Sequence, residues 1–200
     1  MAKNFGNFEG GETPEKVDKN NEVSEEVSEF EDEFDNKWDD KEESEVNEDS
    51  GPKIVVNEDG TKRLKCNNEH LAGKTHEKTG VLFEKKEVTV NGEKMDGVFP
   101  QFESKYDAKL PEELYKESDT KQFKCCTEQL KKDIEKNPEL AKQFSPRQLE
   151  QIKNDEPRIS GHTWHHTENP GEMKLVEDKT HKETGHTGGR SIWGGGKENR

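Results

Sequence analysis

The chain has 200 residues, 24% of them hydrophobic and 39% charged. So polar a composition borders on that of disordered segments and excludes a large apolar core. A membrane span needs a run of roughly 18 or more apolar residues, and none occurs. The formal charge of -14 sits in one place: residues 1–50 hold 19 Asp and Glu against 5 Lys and Arg, whereas residues 51–200 balance at 27 of each.

Residues 1–52 therefore read as an acidic flexible arm. Within it Val23, Val27, Phe30, Phe34 and Trp38 recur every three or four residues, the spacing of one helix face. Two readings stay open: a solvated acidic linker, or a helix that docks on a secretion or carrier partner or on the body of the protein. The start, MAKNFGNFEG, has no apolar stretch of the signal-peptide kind. The expectation is a protein made in the cytoplasm and exported, if at all, by a dedicated system, with no membrane insertion. Cys66, Cys125 and Cys126 fit neither a disulfide framework nor a zinc-ligand spacing, so reduced thiols are expected.

At Gly51-Pro52 the composition changes, and residues 53–157 read as an accessory α+β region. KIVV (53–56), NEDG and TKRLKC suggest a hairpin of short β-rich runs around a turn. KEVTV (86–90), Asn91-Gly92 and EKMDGVF suggest a firmer one, because Asn-Gly supplies the two positive φ angles of a type I′ turn. His70 and His76 fall between the hairpins and read as loop histidines. Pro111 followed by EELY predicts a short helix, and Asp119 a cap for a longer one. In that longer helix Phe123, Cys126 or Thr127, Leu130 and Ile134 share a stripe, so Cys126 is expected in the core. Asn137-Pro138 and Ser145-Pro146 each pair a capping residue with proline, the pattern of a helix start. Leu140, Phe144, Leu149 and Ile152 supply the apolar faces. Residues 154–163 return to loop and strand.

Residues 158–200 hold the chemistry. TWHHTENPGEMKLVEDKTHKETGHTGG (163–189) carries four of the seven histidines: His165, His166, His181 and His186. Neighbours on a strand point to opposite sides, so His165 and His166 should not share one ion. His181 lies in a segment that tolerates a short helix ending at Gly185, a natural C-cap, and His186 just beyond can turn back toward the same ion. A metal held by His165, His181 and His186, with His166 beside it, is a coherent set, since three protein ligands and an open position mark a catalytic site. Such an ion polarises a phosphoryl oxygen, and a histidine takes the proton of the attacking water. Lys174, Lys182 and Arg190 can meet phosphates. The alternative is a zinc knuckle that only holds the fold. Against it stand the absence of cysteine from the cluster and the spare histidine. The residues alone leave both open.

GHTWHHTENPGEMKLVEDKTHKETGHTGGRSIWGGG resembles the WHH group of the HNH/endonuclease VII superfamily of nucleases, domains that close many bacterial polymorphic toxins. The resemblance rests on Trp164-His165-His166, the stretch Met173 to Val176, His181, Gly185 to Gly189, and Trp193 with Gly194 to Gly196. It extends more loosely upstream to about residue 65 and has no counterpart for residues 1–50. It implies a ββα-metal core in which two strands and a helix clamp one divalent ion: zinc, magnesium, manganese or nickel. His165 then ligates the metal, His166 is the general base, and His181 and His186 complete the shell. Lys174 departs from the pattern, which often has an amide there. Trp164 and Trp193 are expected to pack beside the metal strand. The implied activity is hydrolysis of DNA phosphodiesters by a toxin in interbacterial competition, acting in the target-cell cytoplasm and neutralised by an immunity protein. RNA is the alternative substrate, because the sequence shows no element that reads a base or a 2′-hydroxyl.

Overall fold

A computed structural model describes residues 51–196; the arm and the amphipathic stretch expected at 23–38 lie outside these residues. The architecture is α+β, as the sequence predicts. β1 (Ile54–Val56) and β2 (Lys62–Leu64) form the first hairpin, with Val55 opposite Arg63. β3 (Leu82–Val90) and β4 (Glu93–Gln101) form the second. Its turn residues Asn91 and Gly92 both have positive φ, 52° and 83°, as a type I′ turn requires. β3 starts four residues earlier than KEVTV implies. The charged run Glu84 to Glu87 hides the strand from a pattern search, while Val88 and Val90 are buried on one face and Phe83 on the other. β2 pairs in parallel with β4, giving the order β1-β2-β4-β3.

A second sheet is built from β5 (Tyr106–Lys109), β6 (His162–His166) and β7 (Glu172–Glu177), in the order β5-β7-β6 with both pairings antiparallel. β5 is absent from the sequence reading because YDAK is only four residues long; its place is set by Ala108 opposite Met173. One face of this sheet carries Trp164, Met173, Leu175 and Ala108 against Cys126, Leu130, Phe144 and Ile152. Those last four come from α1 (Asp119–Lys136), α3 (Pro146–Lys153) and the segment before α3. The expected stripe is real: Cys126 and Leu130 are fully buried, with Phe123 and Ile134 packed at its margin. Burial raises the Cys126 thiol's pKa, and Cys66, Cys125 and Cys126 are all free.

Two helix details differ from expectation. Ser118, not Asp119, holds the N-cap position of α1, and Asp119 is the first helical residue. Pro111-EELY makes a single 3-10 turn (Glu112–Leu114). The two proline starts behave as predicted. Asn137 accepts from the Glu139 amide at the head of α2 (Pro138–Ala141), and Ser145 and Gln148 form a reciprocal capping box on α3.

β7 runs straight into α4 (Asp178–Thr184), which ends at Gly185 with φ 50°, as the C-cap reading requires. The chain then enters the short α5 (Gly189–Ile192). Gly189 is where this last turn seats on the end of β6: a Cβ there would stand 1.8 Å from the Thr167 carbonyl oxygen and 2.3 Å from the Trp193 indole nitrogen. No flexible side chain can absorb that overlap, because the first contact is backbone. Gly189→Ala should lower stability by about 1–3 kcal/mol, the cost of overpacking a filled site. Urea unfolding of the variant against the parent measures it, and an unchanged midpoint would mean that the C-terminal turn is not seated on β6.

A three-histidine centre and its cleft

Register decides which side chains meet. On β6 and β7, His165 lies opposite Lys174, and His166 opposite Met173. His165 and Lys174 therefore occupy one face of the sheet, and His166 the other, with Trp164. On the first face α4 brings His181 and the turn after it brings His186. His165 Nδ1 stands 3.2 Å from His181 Nε2 and 3.2 Å from His186 Nε2. One nitrogen cannot satisfy two such neighbours well by hydrogen bonding, since a neutral ring carries a single N–H and a single ring lone pair. Zinc bonds of about 2.0–2.1 Å in a tetrahedral array set ligand nitrogens roughly 3.3 Å apart, close to the two distances from His165, and all three ligand atoms lie within 4.8 Å of one another. A further buried ring atom, His186 Nδ1, has no hydrogen-bond partner. The three imidazoles fit a divalent ion.

Electrostatics agrees with geometry. Burial drives the pKa of His165 well below the ordinary 6.5, with the adjoining His186 and His181 adding to the effect. His181 is pushed down to about 4 by burial and His186 to about 3 by burial and His181. All three are neutral at pH 7, the state in which imidazole ligates. Phe102 forms the floor beneath them, its ring centroid 4.9, 5.4 and 5.1 Å from those of His165, His181 and His186. The end of α4 is clamped from the accessory region. Asn68 Nδ2 donates to the carbonyls of Thr184 (3.0 Å) and Gly185 (2.6 Å), and the Asn67 amide donates to Thr187 Oγ1 (2.9 Å).

Beside His165 opens a polar cleft of about 50 Å³, lined by Lys86, Gln101, Thr167, Glu168, Glu172 and Lys174 among others. Lys86 reaches in from the first sheet. Its Nζ donates to Glu168 (2.6 Å) and Gln101 (2.7 Å), and Glu168 is almost wholly buried.

The sequence-predicted residues thus divide among three places. His165, His181 and His186 come together, and Lys174 stands on the cleft wall beside them. Lys182, on α4, pairs with Asp178 at 2.8 Å and is half exposed. His166 is buried on the opposite face, between the rings of Phe123 and Trp193, with Nε2 2.6 Å from Gln122 Oε1. Arg190 lies behind it, buried, bonded to Gln122 and the Glu117 carbonyl and paired with Asp119. Trp164 is core, as expected, with Nε1 donating to Thr127. Phe102, Asn68, Lys86, Glu168 and Gln122 were not picked out from sequence. For Gln122 a signal existed: it sits four residues before Cys126 on the apolar stripe of α1, where a polar side chain calls for a reason.

The family model described as "DNase/tRNase domain of colicin-like bacteriocin" matches residues 91–188, a span that includes His165, His166, His181 and His186. No curated protein and no solved structure matches the chain. The match supports a nuclease domain of the toxin kind, and the histidine triad is a centre that could hold a metal ion.

Two measurements test the centre. Zinc added to the metal-free protein should raise its Tm, as any ligand that binds only the folded state does. His181→Ala should remove most of that rise; an equal rise in the variant would place the metal elsewhere. The pKa shifts also set a pH dependence for the metal-free protein. Each histidine is neutral when folded and titrates near 6.5 when unfolded, so below about pH 6.5 the unfolded state binds more protons. Stability is therefore full above that pH and falls as pH drops toward 4 and 3, the values for His181 and His186. Urea midpoints between pH 7 and 4.5 should decline less steeply in a His181→Leu/His186→Leu double variant. Parallel slopes would show that these rings do not carry the effect.

Proposed function

We propose that the chain is a metal-dependent endonuclease toxin of the WHH kind that hydrolyses DNA phosphodiester bonds. The observation that carries this reading is the convergence of three neutral imidazoles beside a polar cleft with Lys174 on its wall, within the span that matches the colicin-like nuclease model. A divalent cation held by His165, His181 and His186 supplies Lewis acidity toward a phosphoryl oxygen and the departing sugar oxygen. Lys174, on the cleft wall beside His165, meets the phosphate charge, and Lys182 at the exposed side of α4 steers the backbone of the strand. His166 is assigned as the general base that takes the proton of the attacking water by the resemblance alone, since its ring lies buried on the face of the sheet away from the centre. In this scheme residues 158–200 are the catalytic core, residues 53–157 support it, and the acidic residues 1–52 serve delivery through a carrier partner.

The toxin reading brings further consequences. A producing cell needs an immunity protein that covers the cleft or a surface next to it, and the enzyme works in the cytoplasm of the target cell. RNA is a second substrate class, favoured by the matched family's description, which covers DNase and tRNase domains alike.

Digestion assays separate these readings. Supercoiled DNA and transfer RNA would be incubated with the full chain in chelator, magnesium, manganese, nickel or zinc. The expected outcome is metal-dependent loss of DNA, with the rate down by about 10²-fold or more for His166→Ala and for His165→Ala. Metal binding should persist in the first variant and be lost in the second. Loss of transfer RNA alone would reassign the substrate. If neither nucleic acid is cut while zinc still binds, the centre is a structural zinc knuckle.

A further inference from the structure

The stretch that joins two of the three histidines is held from a distant part of the chain. Between His181 and His186 lie only residues 182–185, which include the end of α4. Gly185, at φ 50° and ψ 106°, turns the chain out of the helix. The last carbonyls of a helix find no partner within it. Here the carbonyls of Thr184 and Gly185 both accept from Asn68 Nδ2, at 3.0 and 2.6 Å. Carbonyls only accept, so the amide can lie one way alone, with its NH2 group toward them. One residue past His186, Thr187 Oγ1 accepts from the Asn67 amide at 2.9 Å. The hydroxyls of Thr79 and Thr184 also meet, at 2.9 Å.

A clamp fixes its target only if it is fixed itself. Asn68 has φ 62°, a left-handed conformation that asparagine adopts more readily than most residues. The residues around it are tied to the first sheet. Glu69 accepts from Arg63 Nη1 on β2 at 2.6 Å. The Gly73 amide donates to the Phe83 carbonyl at 2.8 Å, and the Phe83 amide to the Lys74 carbonyl at 2.9 Å. Phe83 is wholly buried, so this attachment is made to the inside of the protein.

We propose that Asn68, together with the Asn67 amide, is a positioning device that holds His181 and His186 near His165 before a metal binds, and so sets the affinity of the centre for a divalent cation. The inference rests on the reading of the three histidines as a metal centre. Left to itself, the short link between the two ligands would keep backbone freedom that binding must remove. With its carbonyls taken by Asn68, that freedom is lost on folding instead, and the cation meets rings already in place. Groups that orient ligands from outside the coordination sphere change metal affinity by about 10–100-fold.

The test is made on the full chain by zinc titration against a competing coloured chelator, with urea unfolding of the metal-free protein alongside. Asn68→Gly removes both hydrogen bonds and keeps a residue suited to positive φ. It should raise the Kd for zinc by about tenfold or more. Thr187→Val, which deletes the acceptor at constant shape, should also raise Kd, and Thr187→Ser, which keeps it, should bind zinc as the parent does. A merely structural role gives a different result. Bonds that matter equally with and without metal lower the stability of both forms alike and leave the Kd of the folded protein unchanged. A lower urea midpoint with unchanged Kd therefore overturns the proposal, and so does no change in either quantity. Should Asn68→Gly fail to fold, the Thr187 pair decides: equal Kd for Thr187→Val and the parent overturns it. His181→Ala separates the two possible failures. Zinc held as tightly by His181→Ala as by the parent means that the metal sits elsewhere and the centre itself is misread. Zinc lost in His181→Ala but held at full strength in Asn68→Gly means that only the positioning is wrong.

Discussion

Everything at the site depends on the two-residue period of β6. Because successive side chains on a strand face opposite sides, the pair His165-His166 cannot enter one environment. β7, at the centre of the sheet, fixes which side each takes: Lys174 accompanies His165, and Met173 accompanies His166. A one-residue slip of this pairing would exchange the histidines and bring Trp164 out of the core, where it is 2% exposed. Burial of Trp164, Leu175 and Met173 against α1 therefore selects the register, and the register selects the chemistry.

The histidine centre shows which of two opposing influences prevails. His181 lies in the last turn of α4, where the helix dipole favours a protonated ring by about 0.3–1 kcal/mol, less than one pKa unit. Asp178 acts in the same direction. Burial nonetheless carries the ring from 6.5 to about 4, so desolvation wins by a clear margin. Part of that desolvation comes from Phe102, a face of hydrocarbon laid against all three imidazoles. The apolar floor keeps the rings neutral and ready to ligate, and leaves the lone pairs with little else to bond. A divalent cation could engage all three converging nitrogens at once.

Much of this was legible in the sequence, because it depends on local rules. The Asn-Gly hairpin, the capping residues before Pro138 and Pro146, the apolar stripe of α1 and the C-cap at Gly185 each follow from a few adjacent residues. The separation of His165 from His166 needed only strand alternation. What escaped depends on distance along the chain. β5 is only four residues, YDAK, too short to stand out by its own pattern, and its strand character comes from pairing with β7. Asn68 clamps α4 across 116 residues of sequence, and Lys86 reaches Glu168 across 82. Arg190 looked like a phosphate ligand because basic residues near a metal motif usually face substrate. Its burial beside Gln122 and Asp119 could not be inferred from neighbours in sequence.

Those long-range contacts bear on what the C-terminal region can be by itself. Strands β6 and β7 with α4 form a unit too small to bury a core, since short chains cover only a modest share of their surface on folding. Each face of its sheet is closed by residues from before position 158. Cys126, Leu130, Phe144 and Ile152 cover one side; Val81 and Phe102 cover the other. The described residues also fall within one compact unit, with no break near position 157. Position 157 is accordingly no folding boundary: residues after it supply the three-histidine centre, and residues before it decide that those rings are buried and neutral. A histidine motif of this kind becomes a site only when the preceding hundred or so residues have folded around it.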